Sequence, residues 1–187
     1  KHAMLSKAAK TFMKIINEAE PEGEEIDKPI TEAQKNLVTN AYHVLSNLKT
    51  VPGIDELGNF NSDIFNSWID YFEESTKKSG HYKVAMIKLG EILVYSPEDT
   101  SGLYINQEIA RYLNKKGYED LRHGYDIGTY NSRGAHFVDY KEEIKLAELF
   151  NKRAENIENE GFFRFAITLR NIAKHYFSEA ERIKEDY

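Results

Sequence analysis

The sequence predicts an all-α fold: an irregular helical bundle or array of about seven or eight helices, ending in a long antiparallel helical hairpin. Three observations carry this. In the last third, Tyr140, Ile144, Ala147, Phe150, Ala154 and Ile157 step by 4, 3, 3, 4 and 3, which places them on one helical face. Beyond Gly161, Phe162, Phe165, Leu169, Ile172, Tyr176 and Ile183 form a second such face, with Ala180 between the last two. Two amphipathic helices joined at one glycine pack antiparallel, and their near-heptad spacing favours shallow crossing angles. The four prolines, Pro21, Pro29, Pro52 and Pro97, all fall in loop-like stretches, so long helices are permitted between them.

A first helix is expected over residues 4–18, with Leu5, Ala8, Phe12 and Ile15 on one stripe. It sits within an N-terminal segment, residues 1–19, which is expected to continue an upstream helical segment. The acidic residues 20–29, which contain Pro and Gly, read as a linker. A second helix begins near Thr31, where Thr31 and Gln34 resemble a capping box, and it ends before Val51-Pro52-Gly53. A third runs from Ser62 to Lys78 with Phe65, Trp68, Ile69 and Phe72 inward. The fourth, from His81 to about Tyr95, has enough β-branched content for a strand, but its length without a turn favours a buried helix. Asn106 is placed to N-cap a fifth helix, which Gly117 stops. A sixth spans Tyr118 to Thr129. Its Gly124 and Gly128 each cost about 1 kcal/mol of helix propensity, and a close approach of another backbone would explain them.

The 187 residues are enough for one domain with a real core, and the whole chain, residues 1–187, is expected to form a single all-α domain. An apolar fraction of 41% and a charged fraction of 30% fit a globular chain rather than a disordered one. The net charge of −6, with no isolated block of Lys or Arg, argues against a general nucleic-acid or anionic-membrane surface. No cysteine is present, so disulfides, thiolate chemistry and sulfur-bound zinc are excluded. No apolar run approaches the roughly 20 residues of a membrane span. A cytoplasmic location is expected.

Ser79-Gly80-His81, Gly90-Glu91-Ile92-Leu93-Val94-Tyr95, Tyr130-Asn131-Ser132-Arg133-Gly134 with His136, Leu146-Ala147-Glu148, Glu158-Asn159 with Gly161, Leu169-Arg170 and Glu179-Ala180-Glu181-Arg182 are the segments that carry a resemblance. Through them, most of the chain from Ile30 to Ile183 resembles the C-terminal region of large uncharacterised bacterial multidomain proteins. The resemblance implies a C-terminal helical module that follows other helical segments. It implies no activity and transfers no catalytic residue. The chain is accordingly expected to be a C-terminal piece of a longer protein.

The most site-like stretch is Gly128 to His136, expected to leave a short helix and turn before the hairpin. Tyr130, Asn131, Ser132, Arg133 and His136 are its candidate binding residues, with Arg122 and His123 just upstream. Arg133 offers a planar fork suited to a carboxylate or phosphate of a ligand or partner. Equally, Asn131 and Ser132 can shape the turn while Arg133 pairs with an acid such as Asp139. A second candidate is Arg170 with His175, five residues on, which resembles the motif of HEPN ribonucleases. There His175 would act as general acid or base and Arg170 would stabilise a phosphorane. Five positions separate two side chains by about 140° on a helix, which favours a solvated face instead. None of the six histidines has metal-ligand spacing, so no metal and no cofactor are expected. Tyr104, Tyr125 and Tyr130 are the rings that stand apart from the core stripes.

The resulting expectation is a non-catalytic protein-interaction, sensor or scaffold module of a larger bacterial protein. Its partners would be other domains of that protein, a separate protein or a small anion near Arg133, with no membrane and no nucleic acid. The alternatives are a metal-independent ribonuclease using Arg170 and His175, and a terminal cap of a helical array.

Overall fold

A computed structural model describes residues 49–55, 57–78, 80–134 and 139–185. The helices expected before residue 49 and the linker at residues 20–29 lie outside them. The described residues are all-helical, with six helices and no strand: α1 Ser62–Lys78, α2 Tyr82–Leu93, α3 Gln107–Leu113, α4 Glu119–Ser132, α5 Tyr140–Asn159 and α6 Phe163–Glu185. No helix among them is long and apolar enough to cross a membrane. The chain divides into two compact units, Lys1–Lys88 and Leu89–Tyr187.

In the first unit, a tight loop precedes α1. Asp55 Oδ1 accepts from the backbone N–H groups of Leu57 (2.9 Å) and Asn59 (2.8 Å), and Ile54 and Phe60 form an isolated bridge across the loop. Gly53, at φ +92°, sits where a Cβ would fall 2.8 Å from that of Phe65. Asn61 Oδ1 then accepts from Ile64 N–H at 3.0 Å and starts α1. The buried face of α1 is Phe65, Trp68, Ile69 and Phe72, with Trp68 stacked on Phe72 at 4.9 Å. Thr76, further along that face, satisfies its buried hydroxyl by donating to the Phe72 carbonyl at 2.8 Å.

The second unit is built around a close helix crossing. A Cβ on Gly90 of α2 would overlap the Leu121 carbonyl oxygen of α4 and lie 2.7 Å from Tyr125 N. One turn on, a Cβ on Gly128 would lie 2.7 Å from Glu91 Cα. The glycines of α4 thus serve the close approach expected of them, and Gly90 on α2 completes it. Such spacing lets two backbones touch, at the expense of helix propensity.

Between these helices the chain caps itself. Ser96 Oγ accepts from Asn106 N–H (3.0 Å), Asp99 Oδ2 from Gln107 N–H (3.0 Å), and Asn106 Oδ1 from Glu108 N–H (3.0 Å). These bonds occupy the free donors at the start of α3. The helix ends at Leu113 with Asn114 as its cap, ahead of the expected stop at Gly117, which at φ +82° lies in the following turn.

Asp139 Oδ1 caps α5 by accepting from Lys141 N–H at 3.0 Å. At the far end, Phe162 N–H donates to the Ile157 carbonyl at 3.1 Å and Gly161 takes φ +83°, so the chain reverses in three residues. Contacts that step backwards along α5, from Glu158–Arg170 to Phe150–Tyr176, step forwards along α6, so the two helices run antiparallel. Their shared core is Ala147, Phe150, Ala154 and Ile157 against Phe165, Leu169, Ile172, Tyr176 and Ile183, all buried. Asn114 Oδ1 accepts from Arg164 N–H (2.8 Å) and Phe165 N–H (3.3 Å), so a side chain at the end of α3 caps the start of α6.

Gly90→Ala will lower the stability of the Leu89–Tyr187 unit by about 3 kcal/mol, because the added methyl meets backbone that cannot rotate aside. Urea unfolding followed by far-UV circular dichroism measures this, and an unchanged midpoint would show that the crossing can spread freely.

Candidate functional site

The expected site stretch is helical for longer than its sequence implies. α4 continues to Ser132, so Tyr130, Asn131 and Ser132 form its last turn rather than a loop. The end closes on itself: Arg133 N–H and Gly134 N–H donate to the Tyr130 and Asn131 carbonyls at 3.2 Å each. Ser132 Oγ donates to the Thr129 carbonyl at 2.8 Å. Asn131 and Ser132 are exposed. His136 lies outside the described residues.

Arg133 caps α4 and turns its guanidinium onto the first turn of α5. Its two terminal nitrogens donate to the two carboxylate oxygens of Glu143 at 2.9 and 2.7 Å. The Glu143 side chain is 1% exposed and that of Arg133 20%. The guanidinium also lies 5.2 Å from the Tyr176 ring centre. The hydrogen bonds from Arg133 to Glu143 hold the guanidinium pKa above its ordinary value. The acid that Arg133 meets is therefore Glu143 and not Asp139, which is engaged as the α5 cap. The end-on pair of Arg133 N–H donors is thus committed to a buried carboxylate.

Beside this pair lies a cleft of about 600 Å³ where α4, α5 and α6 meet, lined by Tyr130, Arg133, Glu143, His175, Tyr176 and Arg182 among others. The Tyr130 ring packs 5.0 Å from Tyr176 and 6.1 Å from His175. The Tyr130 hydroxyl is buried with no hydrogen-bond partner, and burial pushes its pKa up, with further increments from Tyr176, Asp126 and Glu143. Arg182 pairs with Glu179, so the charges at the mouth are internally cancelled. Two candidates that lie far apart in sequence, Tyr130 and His175, thus meet at one place.

Arg170 does not join them. Its fork is held by Glu158 of α5 at 3.1 and 2.5 Å, while His175 turns toward α4. The two residues of the ribonuclease-like spacing face different neighbours on different sides of α6.

Arg122 is structural in its contacts. It is buried and donates to the Leu113 and Lys115 carbonyls at 2.8 and 2.9 Å and to Glu119 at 3.1 Å. It thereby satisfies acceptors left open at the end of α3, and burial is the main cause of its lowered pKa. His123 is exposed beside it. Tyr104 and Tyr125 turn inward, with hydroxyls 3.4 Å apart, Arg153 over the Tyr104 ring and Phe165 edge-on to Tyr125.

Asp126 was not singled out by sequence pattern. One of its carboxylate oxygens is buried without a partner. Burial pushes its pKa above the ordinary 3.8, with His175 and then His123 pulling it back. Among the described residues no group of three or more His, Asp or Glu side chains is placed to hold a metal ion. Comparison with known proteins finds no matching family model, no matching curated protein and no matching solved structure.

Arg133→Ala leaves Glu143 buried without its cation and will destabilise the unit by about 3 kcal/mol, whereas replacing both residues with Met and Leu recovers most of that loss. Chemical denaturation of the single and double variants measures the difference. Asp126→Asn will stabilise the protein at pH 7. An acid whose folded pKa is raised opposes folding once ionised, and this penalty vanishes below its unfolded value of 3.8. The gain in melting temperature is thus present at neutral pH and disappears as pH falls toward 3, and a gain that persists at pH 3 would place its cause elsewhere.

Proposed function

We propose that this chain is a non-catalytic interaction or sensor module whose recognition cleft lies at the junction of α4, α5 and α6. The observation that carries this is the convergence of Tyr130, Arg133 and His175 on one cleft of about 600 Å³. Its two arginines already hold carboxylates, Glu143 and Glu179, so added charge gains little there. What the ion pairs leave over is the Tyr130 hydroxyl, which has no hydrogen-bond partner, and the exposed imidazole of His175 beside the Tyr130 ring. Such a lining suits a neutral ring or amide with one hydrogen-bonding tip, presented by a protein partner or a small ligand. A small anion that took the end-on edge of Arg133 would have to displace Glu143, leaving that carboxylate buried and unpaired.

The same proposal takes the chain as the C-terminal part of a larger bacterial protein acting in the cytoplasm, with α5 and α6 as its terminal hairpin. The ribonuclease alternative needs Arg170 and His175 in one cleft, and the Glu158 contact holds Arg170 elsewhere.

Amide-resolved NMR with p-cresol as a neutral aromatic probe tests the cleft. Millimolar p-cresol will shift the amides around Tyr130, His175 and Tyr176, and His175→Ala will weaken the response several-fold. Inorganic phosphate at the same concentration will leave them in place. Shifts with phosphate alone would restore the anion site. Cleavage of RNA that is lost in both Arg170→Ala and His175→Ala would make the protein an enzyme.

A further inference from the structure

The stretch from Phe163 to Phe177 carries Arg164, Arg170, Lys174 and His175 and no acidic residue, in a chain with 31 acidic against 25 basic side chains. It forms the first two-thirds of α6. Its inward face is Phe165, Leu169, Ile172 and Tyr176. Its outward face exposes Phe163 at 59% and Ile167 at 56%, one helical turn apart. Large apolar side chains standing together on a surface mark contact sites.

Ile167 and Arg164 also form one wall of a groove of about 460 Å³ between α6 and α4. The lining positions on each helix repeat at i, i+3, i+4 and i+7, so the groove runs along the helices. On the α6 side of it the charge is one-sided, with Arg164 and no acidic residue. Glu119 is paired with Arg122 and Glu158 with Arg170. Among the described residues, Arg164 and Lys174 have no carboxylate partner, and Arg164 lies close enough to Arg122 to repel it. The acidic groups of the groove, Glu119 and Asp126, both stand on the α4 wall, so the excess of positive charge belongs to the face of α6, and Asp126 has one oxygen buried.

We propose that the outer face of α6 from Phe163 to Lys174, with the groove beside α4, docks an acidic amphipathic helix of a protein partner. Two exposed anchors one turn apart, Phe163 and Ile167, the second on the groove wall, match the apolar stripe of a helix. The unpaired Arg164 and Lys174 match glutamates or aspartates flanking that stripe. A polyanion fits less well. RNA or an anionic bilayer would bring a long run of charge against a molecule of net charge −6, with two unpaired cations to meet it. A short acidic helix meets the local patch alone, within a Debye length of about 8 Å. This surface is separate from the α4–α5–α6 cleft, and either can fail without the other.

Fluorescence anisotropy on the whole chain tests it with labelled probes. One is a synthetic helix of about four turns, with leucines on one stripe and glutamates elsewhere. The other has the same leucines with lysines replacing the glutamates. The acidic peptide will bind and the basic one will not. Ile167→Ser or Lys174→Glu will each weaken binding roughly tenfold, and raised salt will weaken it further. Both positions are exposed, and circular dichroism of each variant verifies the fold. The proposal is overturned if the two peptides bind alike or the acidic peptide fails to bind. Tighter binding of single-stranded RNA or phosphatidylserine vesicles through Ile167 and Lys174 would equally sink it.

Discussion

A carboxylate stripped of water has to be matched by a cation and by hydrogen bonds, and Glu143 is held under that condition. Arg133 supplies both at once, with two parallel hydrogen bonds and a full positive charge. The consequences spread outward. The end of α4 is tied to the start of α5, on either side of a short connection. The guanidinium, fixed by Glu143, lies over Tyr176 of α6, so one side chain touches three helices. The cleft beside it acquires a rigid, charge-balanced wall. A pair of this kind contributes modest net stability compared with an apolar substitute, but it is exacting about geometry. It specifies where the end of α4 and the start of α5 meet the middle of α6.

A set of polar residues in the second unit is spent on helix ends. Asp99, Asn106, Asn114 and Asp139 each accept from backbone N–H groups that have no partner within their own helices. Arg122 does the converse for carbonyls. Against that pattern, the groups left over stand out. The Tyr130 hydroxyl, one oxygen of Asp126, the His175 ring and the side chains of Arg164 and Lys174 serve no cap. They gather at the two surfaces that flank α4 and α6, which is why those surfaces draw the functional proposals.

The all-helical character was legible because hydrophobic periodicity reports it directly, and the α1 limits and the Asn106 cap follow from local signals. Gly124 and Gly128 announced a close crossing because nothing else explains two glycines inside a helix. Their counterpart Gly90 was hidden, since a lone glycine in an apolar helix has no partner visible in sequence. Arg133 was recognisable as an ion-pairing residue, but its acid was not. Asp139 is nearer in sequence, yet its place before α5 commits it to capping. Tyr104 and Tyr125 break the stripes and still turn inward, because the hydroxyl of one finds the other across 21 residues. The meeting of His175 with Tyr130 is likewise tertiary, set by how α6 lies against α4. Spacing within one helix carries no trace of it.

Asn114 has a consequence for how the second unit tolerates change in length. Surface connections between helices ordinarily accept insertions, because lengthening a loop raises its closure entropy only slowly. The turn after α3 differs. Its first residue ends α3 with its backbone and, with its side chain, holds two N–H groups of α6 about 50 residues later in the sequence. A residue inserted just before Asn114 would carry that amide away from α6 while leaving the loop itself unstrained. The short exposed segment from Asn114 to Gly117 therefore behaves as a ruler, and its attachment point to α3 is fixed by a helix far along the chain.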